Sequence, residues 1–189
     1  EYSLEKALDR MEAEWQPIVL ELKAYKTTGT HILSGGSSDV VQGLLDDHIV
    51  KASTMAASRY AKALEGRIKD WVGALTEIQN VLDVWLKVQS TWLYLEPIFG
   101  SEDIMQQMPV EGKKFREVDE TWRRIVKGAV EDTKALRALR QPGQLEGLTE
   151  AHVMLEQIQK GLNAYLESKR LVFPRFFFLS NDELLEILA

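Results

Sequence analysis

The sequence predicts a mainly α-helical protein, built as elongated helical bundles with one small β-hairpin near residues 19–33. Three observations support this fold class. Trp71, Ile78, Trp85 and Trp92 recur at seven-residue spacing, which is typical of one buried helix face. Each of the 5 prolines falls where helical periodicity is interrupted. One short segment replaces that periodicity with strand-like alternation on both sides of a turn.

The first of these observations predicts a long helical region from about His48 to Leu95. Asp46 and Asp47 are candidate N-cap residues for it, and Gly66 is a possible break between its halves. An apolar residue lies three positions after each of the four residues spaced by seven, which completes a broad heptad face. We expect such a helix to be a stiff rod. Its core seam consists of Trp71, Ile78, Trp85 and Trp92, with Trp122 on the inward face of a later helix.

The other elements follow from local signals. Leu4, Leu8, Met11 and Trp15 lie on one face of a first helix, which Pro17 ends. Leu20, Leu22 and Ala24 alternate with charged residues, and a Thr- and Gly-containing turn leads to a short return strand, so a hairpin is predicted. The remaining predicted helices are a short one through about Leu45 capped by Ser37 or Ser38, a short one after Gly100, one from Pro109 to about Leu139, one from Pro142–Gly143 to about Arg170, and a last one from Asn181.

Composition excludes several classes of function. The formal net charge of −6 argues against general binding of nucleic acid, because phosphate backbones need an excess of Lys and Arg. No apolar run reaches the roughly 18 residues that a membrane span needs. With Cys at 0, neither disulfides nor thiolate metal sites are possible.

The sequence contains no recognisable catalytic, nucleotide or metal motif. A P-loop pattern and a Ser or Cys nucleophile motif are both missing. His31, His48 and His152 are scattered, whereas zinc sites need clustered ligands. The segment Gly35–Ser38 could present backbone N–H groups to an anion, but a plain turn and helix cap is the simpler interpretation. We therefore expect no catalytic residues, no cofactor and no metal in this stretch.

One run is unusual for a helical protein. Four Phe occur within six residues around Pro174, and they cannot all face inward from a single regular helix. At least one of them is expected to pack across a joint between subdomains or against a partner surface. Candidate joints lie at 97–100, 142–143 and 173–174. The candidate joint or docking residues are Pro97, Ile98, Phe99, Phe173, Pro174, Arg175, Phe176, Phe177 and Phe178.

Three stretches of the sequence resemble dynein heavy chains. The first is Met55–Tyr60, the second joins Trp85–Gln89 to Trp92–Ile104, and the third joins Glu167–Arg170 to Phe173–Leu185. Their order and spacing also agree with the family, and the resemblance covers nearly the whole chain. The sequence from Gly100 to Pro109, G-S-E-D-I-M-Q-Q-M-P, is similar to the axonemal branch of the family rather than the cytoplasmic one.

The resemblance implies that residues 1–189 are an internal fragment of the dynein linker, N-terminal to a motor ring of six AAA+ modules. In the family the linker bends and straightens as the ring binds and hydrolyses ATP with Mg²⁺. The implied partners are the AAA+ ring of the same chain and other dynein subunits, with no nucleic acid and no membrane. The implied location is the cytoskeleton of the cytoplasm and the axoneme of a cilium or flagellum.

Two other classes of protein remain as alternatives. A spectrin-like scaffold module that binds cytoskeletal partners predicts a repeated bundle pattern, which is not found, and does not predict a hairpin. An all-helical enzyme or metalloprotein predicts clustered inward acids and histidines, which are also not found.

Overall fold

The computed structural model describes residues 2–188, apart from the side chain of Tyr2. Over this range the protein is mainly α-helical with a single two-stranded antiparallel sheet, which confirms the predicted fold class. The helices are α1 (Tyr2–Trp15), α2 (Gly35–Ala56), α3 (Glu65–Phe99), α4 (Glu102–Gln107), α5 (Pro109–Glu131), α6 (Ala135–Ala138), α7 (Gln144–Val172) and α8 (Asn181–Leu188). The strands are β1 (Leu22–Ala24) and β2 (His31–Leu33), and short 3₁₀ turns occupy Lys62–Leu64 and Pro174–Phe178. None of the helices in this range is long and apolar enough to span a membrane.

The chain forms two compact units. The first contains the described residues up to Val84 together with Arg123–Glu146. The second contains Trp85–Trp122 and the described residues from Gly147 onward. The hairpin belongs to the first unit, and helices α4 and α8 belong to the second.

The predicted hairpin is present. Leu22 pairs with Leu33 and Ala24 pairs with His31 in antiparallel register. Two residues of the turn, Lys26 and Gly29, have positive φ values of 47° and 79°, and glycine adopts such a conformation without steric cost. The carbonyl of Thr28 accepts a hydrogen bond of 2.5 Å from Arg123 Nη1, so the turn is tied to helix α5.

Helix α2 differs from the prediction. A short helix ending near Leu45 and a new start at Asp46–Asp47 were expected, but one helix runs through both aspartates to Ala56. Its cap is Ser34, whose Oγ accepts the N–H of Ser37 at 3.2 Å, so capping by Ser37 or Ser38 is also wrong. Asp47 instead pairs with Lys51 one turn later, at 2.8 Å. The Asp47 carboxylate therefore forms an exposed i,i+4 ion pair within the helix and caps no helix start.

Helix α3 begins and ends close to the predicted breaks, with shifts at both ends. The helical region predicted from His48 is interrupted between Ala56, where α2 ends, and Glu65, where α3 begins, with a 3₁₀ turn at Lys62–Leu64. The break therefore lies just before Gly66. At the other end the helix passes through Pro97 and stops at Phe99, although Glu96–Pro97 was expected to stop it. Proline removes only one N–H, and in the last turn few further helical bonds depend on that position.

The helix predicted from Pro109 to Leu139 is divided in two. Val19 and Lys134 form an isolated antiparallel bridge, in which Leu20 N donates to Thr133 O at 2.8 Å and Ala135 N donates to Ile18 O at 3.0 Å. These bonds hold residues 132–134 in an extended path between α5 and α6. The partner strand lies more than a hundred residues away in sequence, so helical periodicity contained no sign of this break.

The first unit contains a hydrogen-bonded triad in which Trp15 and His48 are buried and Glu14 is exposed. The Trp15 indole Nε1 donates to His48 Nδ1 at 2.8 Å, and His48 Nε2 lies 2.8 Å from Glu14 Oε2. The indole N–H can only donate, so Nδ1 must accept and Nε2 carries the proton donated to the carboxylate. The fully buried His48 therefore joins helix α2 to both Trp15 and Glu14 of helix α1.

We expect Trp15→Phe to lower the free energy of unfolding by about 1–3 kcal/mol, because it leaves the buried Nδ1 without a donor. Urea unfolding followed by circular dichroism measures the loss. Trp71→Phe is the matched control, because the buried Trp71 Nε1 has no hydrogen-bond partner among the described residues. Equal losses in the two variants would show that the hydrogen bond to His48 contributes nothing.

Candidate joint and docking surface

Four of the five tryptophans belong to the seam predicted from the sequence, and the structure buries all of them. Trp71 is 7% exposed, and Trp85, Trp92 and Trp122 are each 0% exposed. The last three belong to the second unit, where the Trp122 ring lies 5.3 Å from the Trp85 ring and 5.9 Å from the Trp92 ring. This cluster fills the space between α3 and α5 with large, rigid side chains.

The polar edges of this tryptophan cluster are bonded at two places. Trp85 Nε1 donates to Gln89 Oε1 at 3.1 Å, and Trp92 Nε1 donates to Asp119 Oδ1 at 2.9 Å. The second bond crosses from α3 to α5, so it sets the register between these helices as well as their separation. Directional bonds of this kind make a packed interface less able to slide.

The candidate joint at 97–100 begins within the last turn of α3. Pro97 is exposed, Ile98 is half-buried, and Phe99 is buried and stacked on Phe115 with ring centroids 5.4 Å apart. Gly100 N donates to Glu96 O at 2.8 Å, which closes the helix before the chain turns into α4. Phe99 is thus a packing residue, and among these three positions Pro97 is the one that faces solvent.

A groove of about 400 Å³ lies beside this end of α3. Tyr94 and Pro97 line it from α3, Ile104 from α4, and Asp182 and Leu185 from α8. Burial raises the pKa of the Tyr94 hydroxyl, and the nearby Asp182 carboxylate raises it further through its charge and a hydrogen bond. The hydroxyl therefore stays protonated at neutral pH and donates to Asp182, which links α8 to α3.

The candidate joint at 142–143 is held by two glutamines that sequence reasoning missed. The buried Gln144 donates through Nε2 to Ala138 O at 2.9 Å, and its Oε1 accepts the N–H of Gln141 at 3.1 Å. Gln141 Nε2 donates to the carbonyls of Ile125 and Ala138. Gly143 has a φ of 72°, a conformation that glycine adopts easily. Glutamine is usually exposed, so neither residue stood out in the sequence.

The candidate joint at 173–174 displays most of its apolar side chains to solvent. We call residues 171–178 the aromatic turn, since α7 ends at Val172 and a 3₁₀ turn covers Pro174–Phe178. Phe176 alone among its phenylalanines is buried, whereas Phe178 is 92% exposed, Phe177 51% and Phe173 44%. Leu171 and Val172 are also exposed. Exposed apolar side chains so close together in the sequence make the aromatic turn a candidate docking surface.

The aromatic turn is held in place from both sides. Arg170 Nη2 donates to Leu179 O at 3.0 Å and to Asn181 Oδ1 at 2.8 Å, so the end of α7 is tied to the start of α8. Ser180 caps α8, because its Oγ accepts the N–H of Glu183 at 3.2 Å. The Arg175 guanidinium lies 5.2 Å from the centre of the Phe176 ring. The exposed rings are therefore presented by a bonded loop, and Arg170 is a residue whose positioning role the sequence did not reveal.

Catalytic chemistry finds no support in the described part of the chain. Within residues 2–188 no group of three or more His, Cys, Asp or Glu side chains is placed to hold a metal ion. Several pKa shifts belong to exposed ion pairs such as Asp132 with Arg137, where the hydrogen bond to Arg137 lowers the pKa of the carboxyl. The described residues instead form packed helices, connectors held by hydrogen bonds, and an exposed apolar turn.

The comparisons with known proteins agree with this picture. The family described as "Dynein heavy chain, N-terminal region 2" matches residues 1–189. The chain is 54% identical to human (Homo sapiens) dynein axonemal heavy chain 3 and 54% identical to human dynein axonemal heavy chain 12. It is 48% identical to human dynein axonemal heavy chain 1. All three comparisons extend over 100% of this chain. All three relatives are axonemal, as the sequence from Gly100 to Pro109 predicted.

The chain covers only a small share of these relatives. It spans 4% of heavy chain 3, 6% of heavy chain 12 and 4% of heavy chain 1. The match nevertheless includes every residue of this chain, and so includes the tryptophan cluster and the aromatic turn. The chain therefore belongs to the dynein heavy chain family, to the segment known as N-terminal region 2.

Proposed function

We propose that this chain is part of the mechanical linker of a dynein motor. In this role it is a lever that couples ATP-driven changes in an AAA+ ring to movement along microtubules in a cilium or flagellum. The ring would belong to the same heavy chain and would hold the ATP and Mg²⁺, while this segment transmits force without catalysing a reaction. The axonemal relatives favour this location over a general cytoskeletal one, and family membership argues against a spectrin-like scaffold.

The observation that carries the proposal is helix α3. It is an uninterrupted helix of 35 residues, which at 1.5 Å per residue is about 50 Å long. Its inward face is filled by buried tryptophans from Trp71 to Trp92. A helix braced along its length resists bending, because deformation would separate close-packed side chains. Force applied to such an element is transmitted instead of being absorbed by local bending.

A lever also needs places where it contacts the rest of the machine. The aromatic turn supplies an exposed apolar surface, held by Arg170, that nothing in the described chain covers. Aromatic side chains dominate the binding energy of interfaces when a partner removes them from water. We propose that Phe177 and Phe178 contact another part of the same motor during the cycle.

This proposal predicts a defect in the intact heavy chain that carries Phe177→Ser with Phe178→Ser. Loss of these anchors should weaken docking about tenfold, as expected when roughly 1.4 kcal/mol of contact energy is removed. Microtubule gliding should slow while basal ATP hydrolysis continues. Phe178 is 92% exposed and Phe177 is half-exposed, so the melting temperature of the protein should change little.

The control is Val110→Ser with Val153→Ser, two exposed apolar residues of the second unit outside the aromatic turn. That variant should glide at the normal speed. Normal gliding by the phenylalanine variant would contradict docking by the aromatic turn. An equal slowing in the valine variant would show that any loss of exposed apolar surface has the same effect.

A further inference from the structure

A second surface, in the first unit, has a different character from the aromatic turn. A groove of about 500 Å³ lies along the connection between α2 and α3, and we call it the connector groove. Its volume is within the range of ligand-binding sites. Ala56, Ile68 and Val72 line its apolar floor, and Arg59, Lys62 and Lys69 line its rim. The mechanical role proposed above makes no use of this groove.

The rim of the connector groove is positively charged. Its three cationic side chains are exposed and face a single acid of the lining, Glu65. None of the three forms an ion pair with any carboxylate between residues 2 and 188. Arg67, on the same helix, behaves differently, because its Nη2 lies 2.5 Å from Asp9 and 2.9 Å from Glu12. The charge of Arg67 is satisfied within the fold, whereas that of the rim is not.

The Arg59 side chain is held in place by Tyr60, which leaves its positive charge without a carboxylate partner over the described range. Its Nη2 donates to the Tyr60 hydroxyl at 2.8 Å, and its guanidinium carbon lies 5.0 Å from the centre of that ring. A phenol and an aromatic face orient a guanidinium without cancelling its charge, and the remaining N–H groups stay available for a carboxylate. This arrangement reduces the conformational entropy that Arg59 would lose on binding an anionic group.

We propose that the connector groove binds an acidic segment of a partner protein, in which carboxylate side chains flank apolar ones. The carboxylates would pair with Arg59, Lys62 and Lys69, and the apolar side chains would cover the floor at Ala56 and Val72. Charge complementarity selects this occupant, because the protein as a whole carries −6 and repels acidic segments elsewhere. A phosphate backbone could pair with the same cations, but it would leave the apolar floor uncovered.

Fluorescence anisotropy of a short labelled peptide tests the proposal on the full chain. The probe contains glutamates on both sides of a central pair of leucines. We expect saturable binding at low salt that weakens as KCl is added, because exposed charges are screened over about 10 Å at 0.1 M. Arg59→Glu with Lys69→Glu should weaken binding about tenfold or more, since two attractions become repulsions.

Two sets of controls isolate the groove from general electrostatics. Lys113→Glu with Lys160→Glu makes the same change of charge at exposed lysines of the second unit and should bind the peptide normally. Val72→Asn, which places an amide on the floor, should weaken the glutamate–leucine peptide but have little effect on a peptide of glutamates alone. Thermal unfolding of each variant confirms that the folded state is retained.

Three results would overturn the proposal. The first is no saturable binding of the glutamate–leucine peptide by the unmodified chain at millimolar concentration. The second is an equal loss of affinity in the Lys113 and Lys160 variant. The third is equal or tighter binding of a labelled single-stranded oligonucleotide, which would make the rim a general polyanion surface. Each of these results leaves the lever proposal intact, because the readout involves neither gliding nor ATP hydrolysis.

Discussion

Trp92→Ala is expected to lower the free energy of unfolding by about 3–5 kcal/mol, the range for deleting a large aromatic side chain from a packed core. The Trp92 side chain is fully buried, lies 5.9 Å from Trp122 and donates a hydrogen bond to Asp119. Its loss leaves a cavity between α3 and α5 and removes a bond that sets their register. Urea unfolding followed by tryptophan fluorescence and circular dichroism measures the change.

Leu86→Ala is the control for Trp92→Ala, because Leu86 lies on the same helix but is 37% exposed. It should cost at most about 1 kcal/mol, since much of its apolar area already contacts water. A double-mutant cycle with Trp122→Ala should show a coupling energy of about 0.5–3 kcal/mol, as found for residues in contact. Strictly additive losses would mean that the tryptophans do not pack as one cluster.

The second large effect is expected from a proline placed inside α3. Lys87→Pro should lower the free energy of unfolding by about 3 kcal/mol or more, because proline removes a helical hydrogen bond and clashes with the preceding turn. Lys87 is exposed, so its side chain contributes little to stability. In the intact heavy chain, the same substitution should also reduce gliding velocity, since a kinked helix bends under load.

Lys87→Ala separates the backbone effect from the loss of the lysine. Alanine has a higher helix propensity than lysine, so this variant should unfold within about 0.5 kcal/mol of the original chain. Circular dichroism at the temperature of the motility assay establishes that the proline variant is folded when gliding is measured. Full gliding velocity in a folded Lys87→Pro protein would show that the stiffness of α3 is not required.

The strongest sequence signals were those that depend on residues close together in the chain. Seven-residue spacing of large apolar side chains predicted the seam of α3, because a helix brings such positions to one face. The hairpin was predicted for a similar reason, since alternation and turn residues act over only a few positions. Four of the five prolines lie at or beside helix ends or connectors, and Pro97 is the exception that α3 accommodates in its last turn.

One error arose where a distant residue decided the local structure, because the end of α5 depends on a bridge to Val19. The error at the start of α2 was local, since the helix is capped by Ser34, three residues before Ser37. The joints at 97–100, 142–143 and 173–174 remain predictions, since bending is a change of shape under load. The roles of Gln141, Gln144 and Arg170 were invisible in the sequence, since polar residues are usually solvent-exposed.

By itself, the sequence determined the helical fold class, the hairpin, the tryptophan seam and the resemblance to dynein heavy chains. Each of these depends on residue type and short-range spacing, which the chain carries before it folds. Only the tertiary structure decided which phenylalanines of the aromatic turn face solvent, and which cations remain unpaired around the connector groove. Those properties depend on what neighbouring elements cover, and burial is a property of the packed molecule and not of a single segment.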